Sequence, residues 1–469
     1  MPQITLPYWL FALLVALAAW SVIAGLFLPS VRWYLRRRAS RTLDEVAARL
    51  KIRIEPFRLT KRQVLVDRLL YDPQVVDAAE AWAAEQGVSR DVALSKVEEY
   101  AREIVPAFNA YFYFRIGYAL ARGAAKLLYR VRLGSSDEAA LAAIPPKSTV
   151  VFLMNHRSNM DYILVSFLAS ERSALSYAVG EWARIWPVEQ LVRATGAYFV
   201  RRNSKDPLYR KVLGRYVQMA TQAGVTQAAY PEGRLSRDGK LGTPRLGLLD
   251  YIVRGFEPES ERDVAFIPVG INYDRVLEDR TLLLDLAPGA KRAKGLEAME
   301  KTLDYVVKNL QLMALSRWHR FGYAAVSFGA PISLRQYLDE RSLHLGKLDK
   351  EERFEAVGAL GEHLMAAIAR SVPVLPVALV ASVFARQPER RFTELELKAT
   401  AAELLGVLKE RGACVYLPRR DEDYAVTAGL RVLVMRRAVT DEEGLLRARP
   451  EELPLLRYYA NSIAHLLPA

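Results

Sequence analysis

Cysteine is almost absent. Cys414 stands alone in 469 residues, which excludes an intramolecular disulfide and a cysteine-based zinc site and fits a body kept in a reducing compartment. Histidine is scarce too: His156, His319, His344, His363 and His465 complete the set. None has H-E-x-x-H spacing, so metal-assisted hydrolysis is not expected and no metal is assigned. There is no internal repeat and no low-complexity tract, which excludes solenoid and disordered classes. Residues 1–31 lack charged side chains altogether.

Hydrophobic residues make up 51% and charged residues 25%, the balance of a folded globular or membrane-attached chain. The net charge is 66 − 53 = +13. Residues 32–62 carry eleven Lys/Arg against Asp44, Glu45 and Glu55, so +8 of the excess follows directly on the uncharged start. That placement points to a membrane surface and its anionic headgroups before nucleic acid, which is not expected as a partner. Pro7–Leu28 is long and apolar enough to cross a bilayer core of about 30 Å. Tyr8 and Trp9 sit at its start, Trp33 and Tyr34 follow its end, and Arg32, Arg36, Arg37, Arg38 and Arg41 stand around and after them. A basic n-region and short apolar core are missing, so it does not read as a signal peptide. The positive-inside rule then predicts a single N-terminal anchor at the cell membrane, with the body on the cytoplasmic face.

The spacing predicts four regions: a membrane helix over 1–31, a basic and helical stretch over 32–135, an α/β domain over 136–340 and a helix-rich region over 341–469. Asp72-Pro73 and Ser89 read as helix starts, and 107–131 as a further helical segment. Gly134-Ser135-Ser136 reads as a breaker. Short apolar runs at Thr149–Met154, Ala197–Val200, Gln227–Tyr230, Ala265–Val269 and Ala324–Phe328 alternate with helical stretches. They predict a mixed or largely parallel sheet flanked by helices, with ligands beyond the carboxyl ends of its strands. In the last region, helices are expected around Lys350–Arg370 and Thr393–Arg411, and a strand pair at Ala413–Leu417 and Leu430–Met435.

The residues just after these runs carry the chemistry. Asn155-His156-Arg157-Ser158-Asn159-Met160-Asp161 places an Asp five positions after a His, the arrangement of a general base and its orienter. Gly196-Ala197-Tyr198-Phe199-Val200-Arg201-Arg202 delivers two arginines from a strand; successive side chains alternate, so one of the two faces a site. Arginine's planar fork suits a phosphate. Tyr230-Pro231-Glu232-Gly233-Arg234-Leu235-Ser236-Arg237-Asp238-Gly239-Lys240 is a glycine-containing loop with three cations, fit for an anion and unlike a Walker loop. Phe266-Ile267-Pro268-Val269-Gly270-Ile271-Asn272-Tyr273 reads as a buried strand interrupted by Pro.

Taken in order, these four segments resemble the glycerolipid acyltransferase family, whose pattern is N-H-x-x-x-x-D, G-x-x-F-[IV]-x-R, [FVY]-x-E-G-x-[RL]-S and an apolar block with Pro. The details look most like its large membrane-bound glycerol-3-phosphate acyltransferases, with support from Val326–Ile332 and Leu456–Ser462. One departure is Leu235, where the family usually has Arg; Arg234 stands one position earlier, which leaves Arg234 and Arg237 as alternatives for the phosphate.

The resemblance implies acyl transfer from an acyl thioester, acyl-CoA or acyl carrier protein, to glycerol-3-phosphate, with no other cofactor. His156 would be the base and Asp161 its orienter. Arg157, Ser158, Arg201, Arg202, Glu232, Gly233, Arg234, Ser236, Arg237 and Lys240 would form the acceptor and phosphate site, and Pro268 the donor region. Backbone N–H groups near Gly233 or a basic side chain would meet the oxyanion. Lysophosphatidate and dihydroxyacetone phosphate are alternative acceptors, and a catalytically inactive basic scaffold is the alternative from another class. Nothing in the composition bears on oligomeric state.

Overall fold

The computed structural model describes residues 55–169, 175–180, 184, 188–201, 204–286 and 321–468. The apolar run Pro7–Leu28, most of the basic block after it, and Arg202 lie outside the described residues. Among the described residues no helix is long and apolar enough to cross a membrane.

The N-terminal helices start where the caps place them. Asp72 accepts from the N–H of Gln74 and Val75 at 3.1 and 3.3 Å and opens the helix Pro73–Gln86 with Pro at its first position. Ser89 caps Arg90–Ile104. The segment expected as one helix over 107–131 is divided: a π-helical stretch, Phe112–Gly117, runs into an α-helix, Tyr118–Leu128. Strand β1, Arg130–Ser136, then takes over. Gly134-Ser135-Ser136 is therefore strand and not a breaker. The strand Tyr323–Phe328 pairs with residues 130–133 and with Ser136, the register shifts at Gly134-Ser135, and Ser135 N donates to Ser327 Oγ at 3.3 Å, long-range partners that local turn chemistry does not reveal.

Among the described residues the main sheet has eight strands: β1, β2 (Thr149–Met154), β3 (Ser176–Gly180), β4 (Tyr198–Val200), β5 (Gln227–Ala229), β6 (Val264–Tyr273), β7 (Tyr323–Phe328) and β8 (Ile332–Ser333). Their order is β1-β7-β6-β2-β5-β3-β4, with β8 also on β6. Strands β2 to β6 run parallel; β7 and β8 are antiparallel to β6, and β1 is parallel to β7. All ten residues of β6 are buried, as a central strand covered on both faces requires. Alternation divides it: Val264 and Phe266 pack on one layer, and Ile267, Val269, Ile271 and Tyr273 on the other. The first layer holds the N-terminal helices with Pro207–Gln222, Leu246–Arg254 and Lys350–Ser371. The second holds the C-terminal helices around Pro376–Arg386, whose residues 376–384 are all buried.

Pro268 sits mid-strand without breaking β6. It falls between the pairing with β8 at 265–266 and the pairing with β7 at 269–273. Its carbonyl accepts from Gly329 N at 2.8 Å, so its missing N–H faces the gap between those two partners.

The strand pair expected at 413–417 and 430–435 does not form. Leu430–Met435 closes the helix Glu422–Met435, which Asp421 caps by accepting from Tyr424 N. Its buried Ala425, Val426, Gly429, Leu430 and Leu433 follow helical spacing, which a six-residue window hides. Val415 makes an isolated bridge to Val374. The hairpin is instead β9 (Val439–Glu442) with β10 (Leu445–Ala448), turned at Glu443-Gly444, both at positive φ.

Candidate active site

The parallel strands bring the segments after β2, β4, β5 and β6 to one edge of the sheet, the carboxyl edge. Strand β2 ends because Asn155 turns its side chain into the ladder. Its Nδ2 donates to Ile271 O at 2.9 Å and its Oδ1 accepts from Ile271 N at 2.7 Å. With the backbone released, the chain loops through His156 to Asp161, the first residue of the helix Asp161–Ala169.

His156 Nδ1 lies 2.9 Å from Asp161 Oδ2. The same oxygen accepts from Arg157 N at 2.7 Å and Ser158 N at 3.1 Å, while Oδ1 accepts from the Tyr273 hydroxyl at 2.6 Å. A carboxylate that collects these donors can only accept from the imidazole as well, so Nδ1 carries a proton, and in the neutral ring the lone pair is then at Nε2. No partner for Nε2 is found among the described residues. Asp161 is fully buried, and its donors replace the water it has lost. Burial, with the Asp161 charge beside it, pushes the Tyr273 hydroxyl well above its ordinary pKa, so it stays a donor. The His156 ring stacks on Tyr230 at 3.8 Å between centroids and meets the edge of Tyr162 at 6.1 Å.

Glu232 and Gly233, expected at the acceptor, make hydrogen bonds that build the loop. Glu232 Oε1 accepts from His156 N at 2.9 Å and Oε2 from Gly242 N at 2.8 Å, so one carboxylate ties the base's backbone to the return of the β5 loop. Burial pushes this carboxyl up, and those two donors partly offset it. Gly233 N closes a turn on Tyr230 O, so it is committed and not free for an oxyanion. Ser236 N donates to His156 O at 2.9 Å and its hydroxyl to Lys240 O at 2.7 Å. Leu235 packs inward against the core. Arg234 and Lys240 are exposed and Arg237 is half-buried, beside the catalytic loop that Ser236 touches. No side-chain partner is found for these three among the described residues.

Other expected ligands are engaged elsewhere. Arg201 is bound to Glu103 through Nε at 2.9 and 3.2 Å and through Nη2, with the rings of Tyr100 and Tyr209 each 5.0 Å from its guanidinium. Hydrogen bonding to Glu103 holds its pKa above the ordinary value, against burial. Arg201 thus fastens the N-terminal helices to the sheet. Ser158 Oγ donates to Glu278 at 2.7 Å. Arg157 is buried; it donates to Gly239 O at 2.5 Å, lies over the Tyr458 ring at 4.7 Å, and has Nε and Nη2 unpartnered among the described residues. Pro268 pairs with Leu153, and five residues at about 3.3 Å each put it roughly 16 Å along β6 from Tyr273. It lines a separate open cavity of about 550 Å³ with Phe328 and His363.

A second cavity, about 300 Å³ and almost wholly apolar, opens behind Tyr162. Ile163 and Ser166 of the catalytic helix form one wall, and Tyr113, Leu120 and Ala124 the other. The C-terminal segment 456–462 also borders the site: Asn461 Nδ2 donates to Asp238 O at 2.8 Å, and Asn272 Nδ2 donates to Ser462 Oγ at 3.1 Å. A Cβ at Gly239, whose φ is +87°, would come within 1.9 Å of the Tyr458 carbonyl oxygen.

Sequence reasoning gave no role to Asn155, Tyr230 or Tyr273, although each ends a strand at the carboxyl edge, which is the signal that finds them. Glu278, Asp279, Arg436 and Tyr459 lay outside the four segments altogether.

Fold and site together define an α/β protein with a buried histidine–carboxylate pair at the carboxyl edge of a mostly parallel sheet. Comparison with known proteins points to a family. The Acyltransferase family pattern matches residues 139–272 and that of the glycerol-3-phosphate acyltransferase C-terminal region matches 310–468. Both patterns are those of glycerolipid acyltransferases, and this chain resembles them over those two stretches. It is 26% identical over 420 residues to a glycerol-3-phosphate acyltransferase of Aeromonas hydrophila, covering 87% of this chain and 50% of that one. To one from Pseudomonas putida it is 28% identical over 448 residues, covering 92% and 52%. The chain spans about half the length of the curated relatives it matches. A crystal structure of a 1-acyl-sn-glycerophosphate acyltransferase from Thermotoga maritima matches at 17% identity and TM-score 0.31, covering 65% of this chain and 95% of that one.

Proposed function

We propose that the chain transfers a fatty acyl group from an acyl thioester, acyl-CoA or acyl carrier protein, to the sn-1 hydroxyl of glycerol-3-phosphate, giving lysophosphatidate. The observation that carries this reading is the buried His156–Asp161 pair, whose Nε2 has no partner among the described residues, beside a loop with three cations that have no side-chain partner among them either; the named relatives are glycerol-3-phosphate acyltransferases. Nε2 takes the hydroxyl proton as the oxygen attacks the thioester carbonyl. Asp161 stabilises the imidazolium, which returns the proton to the leaving thiolate as the carbon–sulfur bond breaks. No acyl-enzyme is needed. General-base catalysis supplies about 10²- to 10⁴-fold, and positioning and oxyanion stabilisation the rest.

Arg237, Arg234 and Lys240 hold the acceptor phosphate in this reading, and the apolar cavity behind Tyr162 receives the start of the acyl chain. Residues 7–28 anchor the chain in the cell membrane with the body on the cytoplasmic face, next to anionic headgroups that the cations after residue 31 attract. The test is a panel on purified protein in detergent: glycerol-3-phosphate, dihydroxyacetone phosphate and lysophosphatidate, each with acyl-CoA and acyl carrier protein. The expected result is turnover of glycerol-3-phosphate to lysophosphatidate at least tenfold above the other acceptors; preference for lysophosphatidate would overturn the reading.

A further inference from the structure

We propose that the adjacent carboxylates Glu278 and Asp279 form a bracket through which the C-terminal region positions the catalytic loop. The loop after β6 places them where two parts of the chain meet. Glu278 Oε2 accepts from Ser158 Oγ at 2.7 Å, and its Oε1 accepts from Asn159 N at 3.2 Å and Asn159 Nδ2 at 3.1 Å. Ser158 Oγ in turn accepts from Met160 N at 3.1 Å. Asp161 holds the N–H groups of Arg157 and Ser158 from the inside, so residues 157–161 are gripped by two carboxylates, one on each side. His156, at one end of this loop, has its ring position set by where the loop lies.

Asp279, one peptide bond further on, is buried and serves the other side. Its Oδ2 accepts from Arg436 Nη1 at 2.6 Å and from the Tyr459 hydroxyl. Arg436 also donates to the Tyr459 oxygen at 2.8 Å, and Val276 N donates to it at 3.0 Å. Arg436 caps the helix Glu422–Met435 and Tyr459 lies on the helix Leu453–Asn461. A buried ion pair of this kind strongly resists loss of one partner. Displacing either C-terminal helix therefore moves Asp279, and with it Glu278 and the loop. None of these four side chains bonds His156 itself, so they are positioning residues and not catalytic ones.

The kinetic arm rests on the acyltransferase reading above; a second arm does not. In the full-length protein, Glu278→Ala should lower kcat by about 30- to 100-fold while each KM stays within about threefold, because a misplaced base impairs the transition state more than ground-state binding. Glu278→Gln keeps an acceptor oxygen at the same place and should recover activity to within about fivefold of wild type. Tyr459→Phe should lower kcat by about three- to tenfold, acting through Asp279 and through Val276 N and Arg436, which lose the same hydroxyl oxygen. Hydrogen exchange of residues 155–162 should rise about tenfold or more in Glu278→Ala and measurably in Tyr459→Phe. Wild-type kcat in folded Glu278→Ala, or unchanged exchange at 155–162, would overturn the bracket. Should Glu278→Ala fail to fold, Glu278→Gln and Tyr459→Phe decide by the same two readouts. A wild-type protein without turnover on any acceptor would refute the proposed function and leave the exchange comparison to judge the bracket.

Discussion

Tyr273→Phe isolates one hydrogen bond in the catalytic pair. Three of the four donors to Asp161 converge on Oδ2: His156 Nδ1, Arg157 N and Ser158 N. Among the described residues Oδ1 has the Tyr273 hydroxyl as its donor, at 2.6 Å. Removing that hydroxyl leaves a fully buried carboxylate oxygen unsatisfied and the carboxylate free to rotate about its bond to Cβ. A hydrogen bond to a charged group contributes about 1.5–3 kcal/mol. If all of it is felt in the transition state, where the imidazolium leans on Asp161, kcat falls roughly 10- to 150-fold at about 1.4 kcal/mol per decade. The ring stays, so its packing against Tyr129 at 5.3 Å is kept and the fold survives. Initial rates at saturating acceptor and donor measure the effect. The control is Tyr129→Phe, which removes a hydroxyl bonded to Arg275 O, costs about 1 kcal/mol of stability and leaves kcat unchanged. A Tyr273→Phe enzyme within twofold of wild-type kcat would refute the idea that Asp161 must be held at both oxygens.

Other outcomes follow from contacts elsewhere. Gly239→Ala meets both a φ of +87° and a carbonyl oxygen 1.9 Å from the new Cβ; it should cost about 2–4 kcal/mol in urea unfolding, since backbone rather than a flexible side chain must yield. Arg237→Ala should raise KM for glycerol-3-phosphate at least about tenfold, whereas Arg201→Met, which breaks the Glu103 pair, should lower the melting temperature and leave that KM within about twofold. Burial pushes the Asp274 carboxyl from 3.8 up to about 7. Its folded pKa is the higher one, so the stability it lends is full below about pH 4 and is lost as pH rises through about 7. Urea midpoints across pH 4–8 should fall over that window for wild type and flatten in a folded Asp274→Asn variant.

What could be read in advance follows the range of the forces involved. Helix starts at Asp72 and Ser89 were legible because a cap acts over three residues. Strands β2, β4, β5, β6 and β7 were legible as short apolar runs, and His156 with Asp161 because five residues of one loop bring base and orienter together. Strand β1 was hidden, since its polar Gly-Ser-Ser end is held by distant partners, β7 almost 200 residues away and the Cys414 thiol. The C-terminal strand pair was misread for a related reason: Leu430–Met435 is apolar enough for either element, and the Asp421 cap decides it. Among the cations, charge alone could not separate the paired from the free. Arg201 is spoken for by Glu103, which lies 98 residues upstream, whereas Arg237 has no such partner among the described residues. Glu232 and Ser236 brace the His156 backbone, a role that the pattern of letters does not separate from substrate binding.

The central claim is that His156, oriented by Asp161, takes the acceptor proton directly. The measurement closest to it is the initial rate of lysophosphatidate formation by purified His156→Ala, with its folding checked by circular dichroism and thermal unfolding. A folded variant that has lost at least about 10³-fold in kcat, with donor binding retained, is the expected result. A folded His156→Ala protein that transfers acyl groups at the wild-type rate would contradict the account.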